Sequence, residues 1–341
     1  MNEQTAPSAA MQDIVIDSFR REDALGVAQL FRAVYGDGYP IKAFYDPAEL
    51  ITANMTGRII STVARTDAGE IIGHEAFVRS APYEKLYEAG AGLVLPAYRR
   101  RGLMVLLMEY SFQVDLKRAD AEETFGEPVC NHVALQKIVV SLGHSESALE
   151  VDLMPAETYT KEQSARGRVS TLLTFGTVKP KPHVVYLPTA YRSEIEWFYA
   201  GLNVEREFVW VDSTRHAENA SVGKMAVFDF AQVARIAIHR IGADFDAFTA
   251  RLESEARTKG VQVFQMWLPL ASPFTGVATD ILRARGYFLG GILPRWFDED
   301  GLLMQEMIHE PNWEGIVLYS ERAKRIMEIV KGDWEKVKRE T

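Results

Sequence analysis

The chain has 341 residues, 47% of them hydrophobic and 25% charged, with a formal net charge of −9. That length predicts two domains at roughly 100–200 residues each, and the composition predicts packed cores rather than disorder. The acidic balance argues against bulk nucleic-acid binding, which depends on neutralising phosphates. The single cysteine, Cys130, cannot close an intrachain disulfide, and no Cys/His spacing resembles a zinc site, so no metal is expected. The first dozen residues are polar and Ala-rich and lack the basic and apolar regions of a signal peptide. The richest apolar run, Leu103–Phe112, falls short of the roughly 18 residues a membrane span needs and is broken by Glu109. The expectation is a cytoplasmic protein that contacts neither membrane nor nucleic acid.

Asp13–Phe19 alternates as a half-buried strand does, and Arg21–Tyr35 carries Leu25, Ala28, Phe31 and Ala33–Val34 at helical spacing. A second helix is predicted over Pro47–Met55. Arg58–Arg65 and Glu70–Arg79 read as strands joined by a hairpin at Asp67-Ala68-Gly69. Leu86–Leu95 is another strand. Gly102–Arg118 is a helix with Leu103, Leu106, Leu107, Tyr110 and Val114 on one face. A strand over Thr124–Cys130, a helix over His132–Leu142 and a strand over Glu146–Leu153 follow. The order, β-α-α-β-β-β-α-β-α-β, predicts an α/β (α+β) fold with a mixed sheet and helices on both faces.

Lys161–Arg168 is polar and Lys179-Pro180-Lys181-Pro182 is extended, which predicts a linker over 161–182 between a first domain at 13–160 and a second at 183–310. Leu172–Phe175 either completes the first sheet or crosses into the second. Beyond the linker, Arg192–Leu202 reads as a helix, and Phe208–Asp212, Lys224–Phe230 and Val233–Ile241 as strands. A helix reaching about Lys259 follows, then a strand at Val261–Leu268, a helix at Thr275–Arg285 and a strand at Tyr287–Leu293. The strand, helix, Gly-aromatic and strand order echoes Thr124–Leu153, so an internal duplication is expected. The tail at 311–341 carries an amphipathic helix over Gly315–Arg339, with Tyr319, Ala323, Ile326, Val330, Trp334 and Val337 in steps of three and four. It packs on its own domain or forms a homodimer contact.

The informative segment is Gly92-Leu93-Val94-Leu95-Pro96-Ala97-Tyr98-Arg99-Arg100-Arg101-Gly102-Leu103-Met104. A strand ends at a proline, a loop holds three arginines, and a glycine opens a helix. First-turn amides have no intrahelical acceptor, and the helix dipole adds positive charge beside them. Gly102 lets a phosphate approach without meeting a Cβ, and the arginines add donors and field. The loop is neither a Walker loop nor a dinucleotide fingerprint, since both of those glycine patterns are absent. It suits a pyrophosphate.

Val94-x-Pro96-x-x-Arg99-x-x-Gly102 resembles the signature of the GNAT N-acetyltransferase superfamily. Tyr35-Gly36…Tyr39-Pro40, Glu127-Pro128-Val129…His132…Gln136-Lys137 and Gly286-Tyr287-Phe288…Asp300-Gly301-Leu302 extend the likeness to a bacterial group of tandem GNAT proteins. The resemblance implies two tandem acyl-CoA N-acyltransferase domains, and it implies acetyl-CoA as cofactor. The cofactor would be held by Val94, Leu95, Arg99, Arg100, Arg101, Gly102, Leu103 and Met104. Val94 would pair with the pantetheine arm where the sheet splays. Met104 departs from the small residue usual there, so its side chain must point away from the phosphates. The second half has only Gly242-Ala243 at the corresponding place, so that domain is expected to be degenerate and without an acyl-CoA site of its own.

Acyl transfer needs a neutral amine, an amide for the oxyanion and an acid for the thiolate. Val94 or Leu95 would supply the amide. The family's usual tyrosine acid falls at Val139. Glu88 shares strand parity with Val94 and Glu75 sits mid-strand, and each is a candidate base whose alternative is a solvated face or a salt bridge. His132, at the predicted start of its helix, is a candidate acid or cofactor contact, with capping as the alternative. Cys130 reads as a small buried residue. Trp197, Phe198, Tyr199, Phe208 and Trp210 either line an acceptor cleft or belong to a core. The expected activity is transfer from acetyl-CoA to a small-molecule or protein amine in a ternary complex. The alternatives are an inactive acyl-CoA-binding regulator and, as a weaker reading, an aminoacyl or fatty-acyl transferase.

Overall fold

A computed structural model describes residues 14–155, 167–214 and 217–340. The chain divides into two compact units. One holds the chain through Arg79 together with Ala89–Asp120, and the other holds Ser80–Glu88 with everything from Ala121 onward.

In the first unit, alternating apolar residues build β1 (Ile14–Ser18), which pairs antiparallel with β2 (Ile59–Thr66). Between them lie α1 (Ala24–Tyr35) and α2 (Pro47–Met55). Asp46 caps α2 by accepting the amides of Ala48 and Glu49 at 2.9 and 3.2 Å. β3 (Ile71–Val78) pairs antiparallel with β2 through the predicted hairpin, where the Gly69 amide donates to Thr66 O at 2.8 Å. Ala24, Val27, Leu30 and Phe31 pack with Phe44, Leu50, Ile59, Val63 and Ala76. Leu25 does not belong to that face: it is 59% exposed, because the buried stripe of α1 is centred on Val27 and Phe31.

β4 (Leu86–Val94) leads through a short turn into α3 (Leu103–Tyr110). The single α-helix expected over Gly102–Arg118 is interrupted. A π-helical turn at Ser111–Asp115 separates α3 from a last turn at Leu116–Arg118. Such turns recur at functional sites. Here Ser111 and Asp115 are buried, and Asp115 accepts Thr62 Oγ1 and Ser18 Oγ, both at 2.6 Å. Leu103 and Leu107 face the core, whereas Leu106 is exposed.

The second unit begins with Leu86–Glu88 of β4, parallel to β5 (Glu123–Gly126). β5 is shorter than expected. Pro128 carries no amide for a ladder, and beyond Gly126 the chain keeps one isolated bridge, Val129 to Thr171. α4 (Ala134–Ser141) starts two residues after His132 rather than at it. β6 (Ser145–Met154) and β7 (Val169–Thr177) follow, and β7 lies antiparallel between β5 and β6. Leu172–Phe175 therefore completes the first sheet. Asp13 and most of the polar linker, residues 161–166, lie outside the described residues.

β8 (His183–Pro188) and β9 (Arg206–Val211) form a separate parallel pair flanking α5 (Arg192–Ala200). β10 (Val222–Phe228), β11 (Val233–Arg240), α6 (Phe245–Thr258), β12 (Val263–Pro269), α7 (Thr275–Arg283), β13 (Phe288–Leu293) and β14 (Gly301–Met307) come next. β8 and β14 are strands the sequence pattern did not show. β11 is parallel to β12, β12 antiparallel to β14, and β14 antiparallel to β13. This is the same pattern as β4, β5, β7 and β6. The two sets meet where Ala148 of β6 pairs with Gly291 of β13. Gln305 seals that seam: its side-chain amide donates to Leu149 O at 2.8 Å and accepts from Val151 N at 3.0 Å.

α8 (Glu321–Glu340) closes the unit with Ala323, Ile326, Val330 and Val337 buried. Tyr319 precedes the helix and is exposed, because the helix begins only at Glu321. Asp333 fixes α8 by accepting Tyr191 Oη, Arg283 Nη1 and Leu289 N at 2.7–2.8 Å. No helix among the described residues is long and apolar enough to cross a membrane.

Candidate cofactor loop and carboxylate cluster

The loop is built by the end of β4. Leu95 N donates to Ile72 O at 2.8 Å, which ties the strand end to β3. Pro96–Tyr98 makes one tight turn, and Arg99 Nε reaches back to Val94 O at 3.1 Å. Arg100 at φ +63° and Gly102 at φ +77° both lie in the left-handed region before Leu103 anchors α3 in the core. A Cβ on Gly102 would find no atom within 4 Å, so the space in front of the first helical turn is open. Arg99, Arg100 and Arg101 are exposed. Arg101 donates to Ala97 O at 3.3 Å and lies 5.2 Å from the Tyr98 ring centroid. Among the described residues, none of the three arginines pairs with a carboxylate. Leu95 is not an oxyanion donor, because its amide is already spent on Ile72.

Met104 turns away from the loop. Its sulfur lies 3.1 Å from the point where a Cβ on Gly92 would stand, so the side chain folds back over β4. The larger residue is accommodated by the missing side chain opposite it.

Glu75 is neither solvated nor in a salt bridge, as its alternative reading required. It lies opposite Thr62 in the β2–β3 register, fully buried, with no hydrogen-bond partner for either carboxyl oxygen. Burial, reinforced by Asp115, pushes its pKa up to about 8. Its neighbour His74 lies with its ring 5.3 Å from Phe31 and 5.2 Å from Phe44, and one ring nitrogen meets Ala91 O at 2.9 Å. Burial lowers the imidazole to about 4, so it is neutral.

Glu88 belongs to the second unit and has different surroundings. Ser80 Oγ donates to it at 2.6 Å. Burial raises its pKa, the nearby Glu127 raises it further, and Arg235 opposes both. Arg235 Nη2 donates to Glu127 Oε1 at 2.9 Å and Glu150 Oε1 at 3.0 Å, while its Nε donates to Gln265 Oε1 at 2.9 Å. Glu150 also accepts Gln265 Nε2 and Thr171 Oγ1 at 2.9 and 2.8 Å. The parity argument linking Glu88 to Val94 fails: Ala91 between them has φ +54°, which interrupts strand alternation. The sequence reading did not single out Arg235, Glu150 or Gln265. The available signal was a lone polar residue inside a short apolar strand, as in Val233-Ala234-Arg235-Ile236 and Leu149-Glu150-Val151.

His132 is exposed, and its ring accepts the Ala134 amide at 3.4 Å, one residue before the Val133 N-cap of α4. Val139 and Cys130 are buried. Phe198 and Tyr199 belong to the core, with Trp197 and Trp210 packed against it, and Phe208 is exposed.

The corresponding turn of the second half is occupied by the chain itself. The Gly242 amide donates to Ser221 Oγ at 3.0 Å, and Ala243 N donates to Asn219 O at 2.8 Å. Asp244 accepts Ser221 N at 2.6 Å. A Cβ on Gly242 would lie 2.2 Å from Ser221 N, so the segment Asn219–Ser221 sits directly against the start of α6.

β4 and β5 are parallel, β7 and β6 continue the sheet antiparallel, and α3 leaves β4 through a left-handed glycine, so the chain has the mixed α/β sheet the sequence predicts. No protein-family model and no curated protein matches the chain. Among solved structures, it is similar to a GNAT-family acetyltransferase from Streptococcus pneumoniae. That likeness has 13% identity and a TM-score of 0.41, and covers 49% of this chain and 100% of the other. It is similar to the Escherichia coli ribosomal-protein-S18-alanine N-acetyltransferase at 15% identity and TM-score 0.38, covering 50% and 96%. The yncA protein of Salmonella typhimurium, solved with its cofactor acetyl-CoA, matches at 13% identity and TM-score 0.40, covering 50% and 96%.

Proposed function

We propose that this GNAT-type chain is an acyl-CoA-dependent N-acyltransferase that binds one acetyl-CoA at Arg99–Met104 and transfers its acyl group to an amine. The observation carrying the reading is the trio of exposed arginines, none paired with a carboxylate among the described residues, set before a helix that opens at a left-handed glycine. In a chain of net charge −9, three exposed guanidiniums side by side suit a dense anion. Three features support a pyrophosphate: first-turn amides lack intrahelical acceptors, the space beside Gly102 is open, and Met104 is turned out of the way.

Acetyl-CoA, when bound, supplies an activated thioester. The residues of the chain bind and orient it and manage the proton. Arg99 and Arg101 already lean on the backbone at Val94 O and Ala97 O, so their guanidiniums are held near the loop and lose little freedom on contacting phosphate. We assign no acid at Val139 and none at His132, whose ring is engaged by the Ala134 amide. We read the β11–β14 set as a degenerate duplicate of the first-half strands.

Titration calorimetry with acetyl-CoA, followed by assays on an amine panel, tests the reading. One tight site with turnover supports the transferase. One tight site without turnover on any amine favours an acyl-CoA-binding regulator. No binding removes both.

A further inference from the structure

We propose that the second unit carries a small-oxyanion site of its own, in which His309 and Lys331 hold a phosphate or carboxylate group. The site uses no residue of the Arg99–Met104 loop, so it goes beyond the acyl-CoA reading and does not depend on it.

The site is built on Asp152. The pairing of β6 with β7 shifts register between Glu150 and Met154, and inside that irregularity Asp152 takes φ +53°, a backbone conformation that L residues rarely adopt. The strained turn is held from several sides. Asp152 N donates to Ser170 Oγ at 3.0 Å, and Arg168 Nε donates to Asp152 O at 2.6 Å. The Asp152 carboxylate is fully buried and meets Asn312 N and His309 Nε2, both at 3.0 Å. Asn312 Nδ2 donates to Arg168 O at 3.0 Å, which closes the ring of contacts. Backbone strain of this kind persists where the surroundings over-determine it, and it concentrates at ligand sites.

The consequence falls on His309. An ionised carboxylate only accepts, so Nε2 carries the hydrogen and the ring is held in one orientation, with Nδ1 unpartnered among the described residues. His309 is half-buried and lines a cavity of about 600 Å³ together with Asn312, Trp313, Glu314 and Lys331. Lys331 reaches that cavity from α8, is half-buried, and makes no ion pair with a described residue. A half-buried ammonium without a counter-charge, beside an imidazole backed by a carboxylate, suits an acceptor with full negative charge. The carboxylates nearby do not fill that role. Asp152 is spent on His309 and Asn312, Glu310 pairs with Lys338, and Glu314 is exposed, so its opposing charge is screened.

The test titrates the full-length protein with inorganic phosphate and, separately, with succinate at mildly acidic pH. The readout is the imidazole 1H–15N signals, with His309 picked out among the seven histidines by its loss in His309→Gln. The His309 signals should shift and saturate with at least one of the two anions; the one that binds more tightly tells a phosphate site from a carboxylate site. Lys331→Met should weaken that binding by about tenfold, as the loss of a charged hydrogen bond does. Glu314→Gln removes a like charge and should tighten it roughly two- to fivefold. Both side chains reach solvent, so both variants should keep the parent's far-UV circular dichroism. Arg100→Gln should leave the His309 response unchanged, which separates this site from the arginine loop. His309 signals that neither anion moves, or an affinity that is the same in folded Lys331→Met, overturn the proposal. If the parent binds no acetyl-CoA while phosphate or succinate titrates His309 as stated, the transferase reading falls and this site stands.

Discussion

The sulfur of Met104 occupies the space that a side chain on Gly92 would need, 3.1 Å from its absent Cβ. The two positions form a coupled pair across β4 and α3. Gly92→Val should push Met104 off β4 toward the phosphate cradle. Overpacking of this kind costs about 1–3 kcal/mol, and acetyl-CoA affinity should fall roughly tenfold or more while far-UV circular dichroism is retained. Gly92→Val with Met104→Ala should recover most of the affinity. Calorimetric titration of both variants checks this.

Gly102→Asp combines two penalties. A side chain at φ +77° costs about 1–2 kcal/mol of stability, and the carboxylate faces the intended anion. Binding should drop by about 100-fold or more. A folded variant that titrates like the parent would refute the placement of the cofactor.

Neutralising Arg100 should weaken acetyl-CoA binding by about 1.5–3 kcal/mol, the worth of a hydrogen bond to a charged group. It should also flatten the salt dependence of Kd, because exposed guanidiniums are screened. A Kd series between low and high ionic strength in Arg100→Gln reads both effects.

Glu75 makes the chain sensitive to pH. Its ordinary value is 4.5 and its folded value about 8. Below 4.5 both states carry the proton and no penalty applies. Between the two values the unfolded chain releases the proton while the folded chain keeps it. Stability from this group is therefore lost as pH rises, by up to about 1.4 kcal/mol per pH unit, and levels off above 8. Glu75→Gln should be more stable than the parent at pH 8, with the gap closing toward pH 5. Urea midpoints at a series of pH values measure it; a gap that is constant or widens toward acid contradicts it.

Asp333→Ala should strip α8 of its three bonds to Tyr191, Arg283 and Leu289. Removing one partner of a buried pair costs about 3–5 kcal/mol. Hydrogen exchange should then report early opening of Glu321–Glu340 and of β13. Unchanged protection would show that apolar packing alone holds the helix.

The loop at Pro96–Gly102 was legible as a strand-to-helix turn, because a proline after the strand and a glycine before an apolar helix mark it locally. Most strands and helices were legible for the same reason. The π turn at Ser111–Asp115 was not, since it preserves the apolar spacing of a helix while changing its hydrogen bonding. β8 follows a proline-rich stretch and β14 a run of polar residues, so neither announced itself although each pairs with a neighbouring strand in sequence, β9 and β13. Glu75 stood out as a charge between apolar neighbours. Arg235 and Glu150 lie 85 positions apart, and their meeting depends on two sets of strands joining at Ala148 and Gly291, which no local pattern reports. The expected sharing of a face by Glu88 and Val94 failed on a single residue, Ala91, whose left-handed backbone has no signature in an alanine.

The segment Asn219–Ser221 acts as a built-in stopper. Its serine hydroxyl and asparagine carbonyl take up amides that a diphosphate would otherwise claim, and its backbone stands where such a ligand would rest. Converting Gly242-Ala243 into an arginine-rich turn would therefore fail to create a nucleotide pocket there. The intruding stretch would have to be shortened first, and engineering a bivalent version of this protein becomes a problem of deletion rather than of substitution.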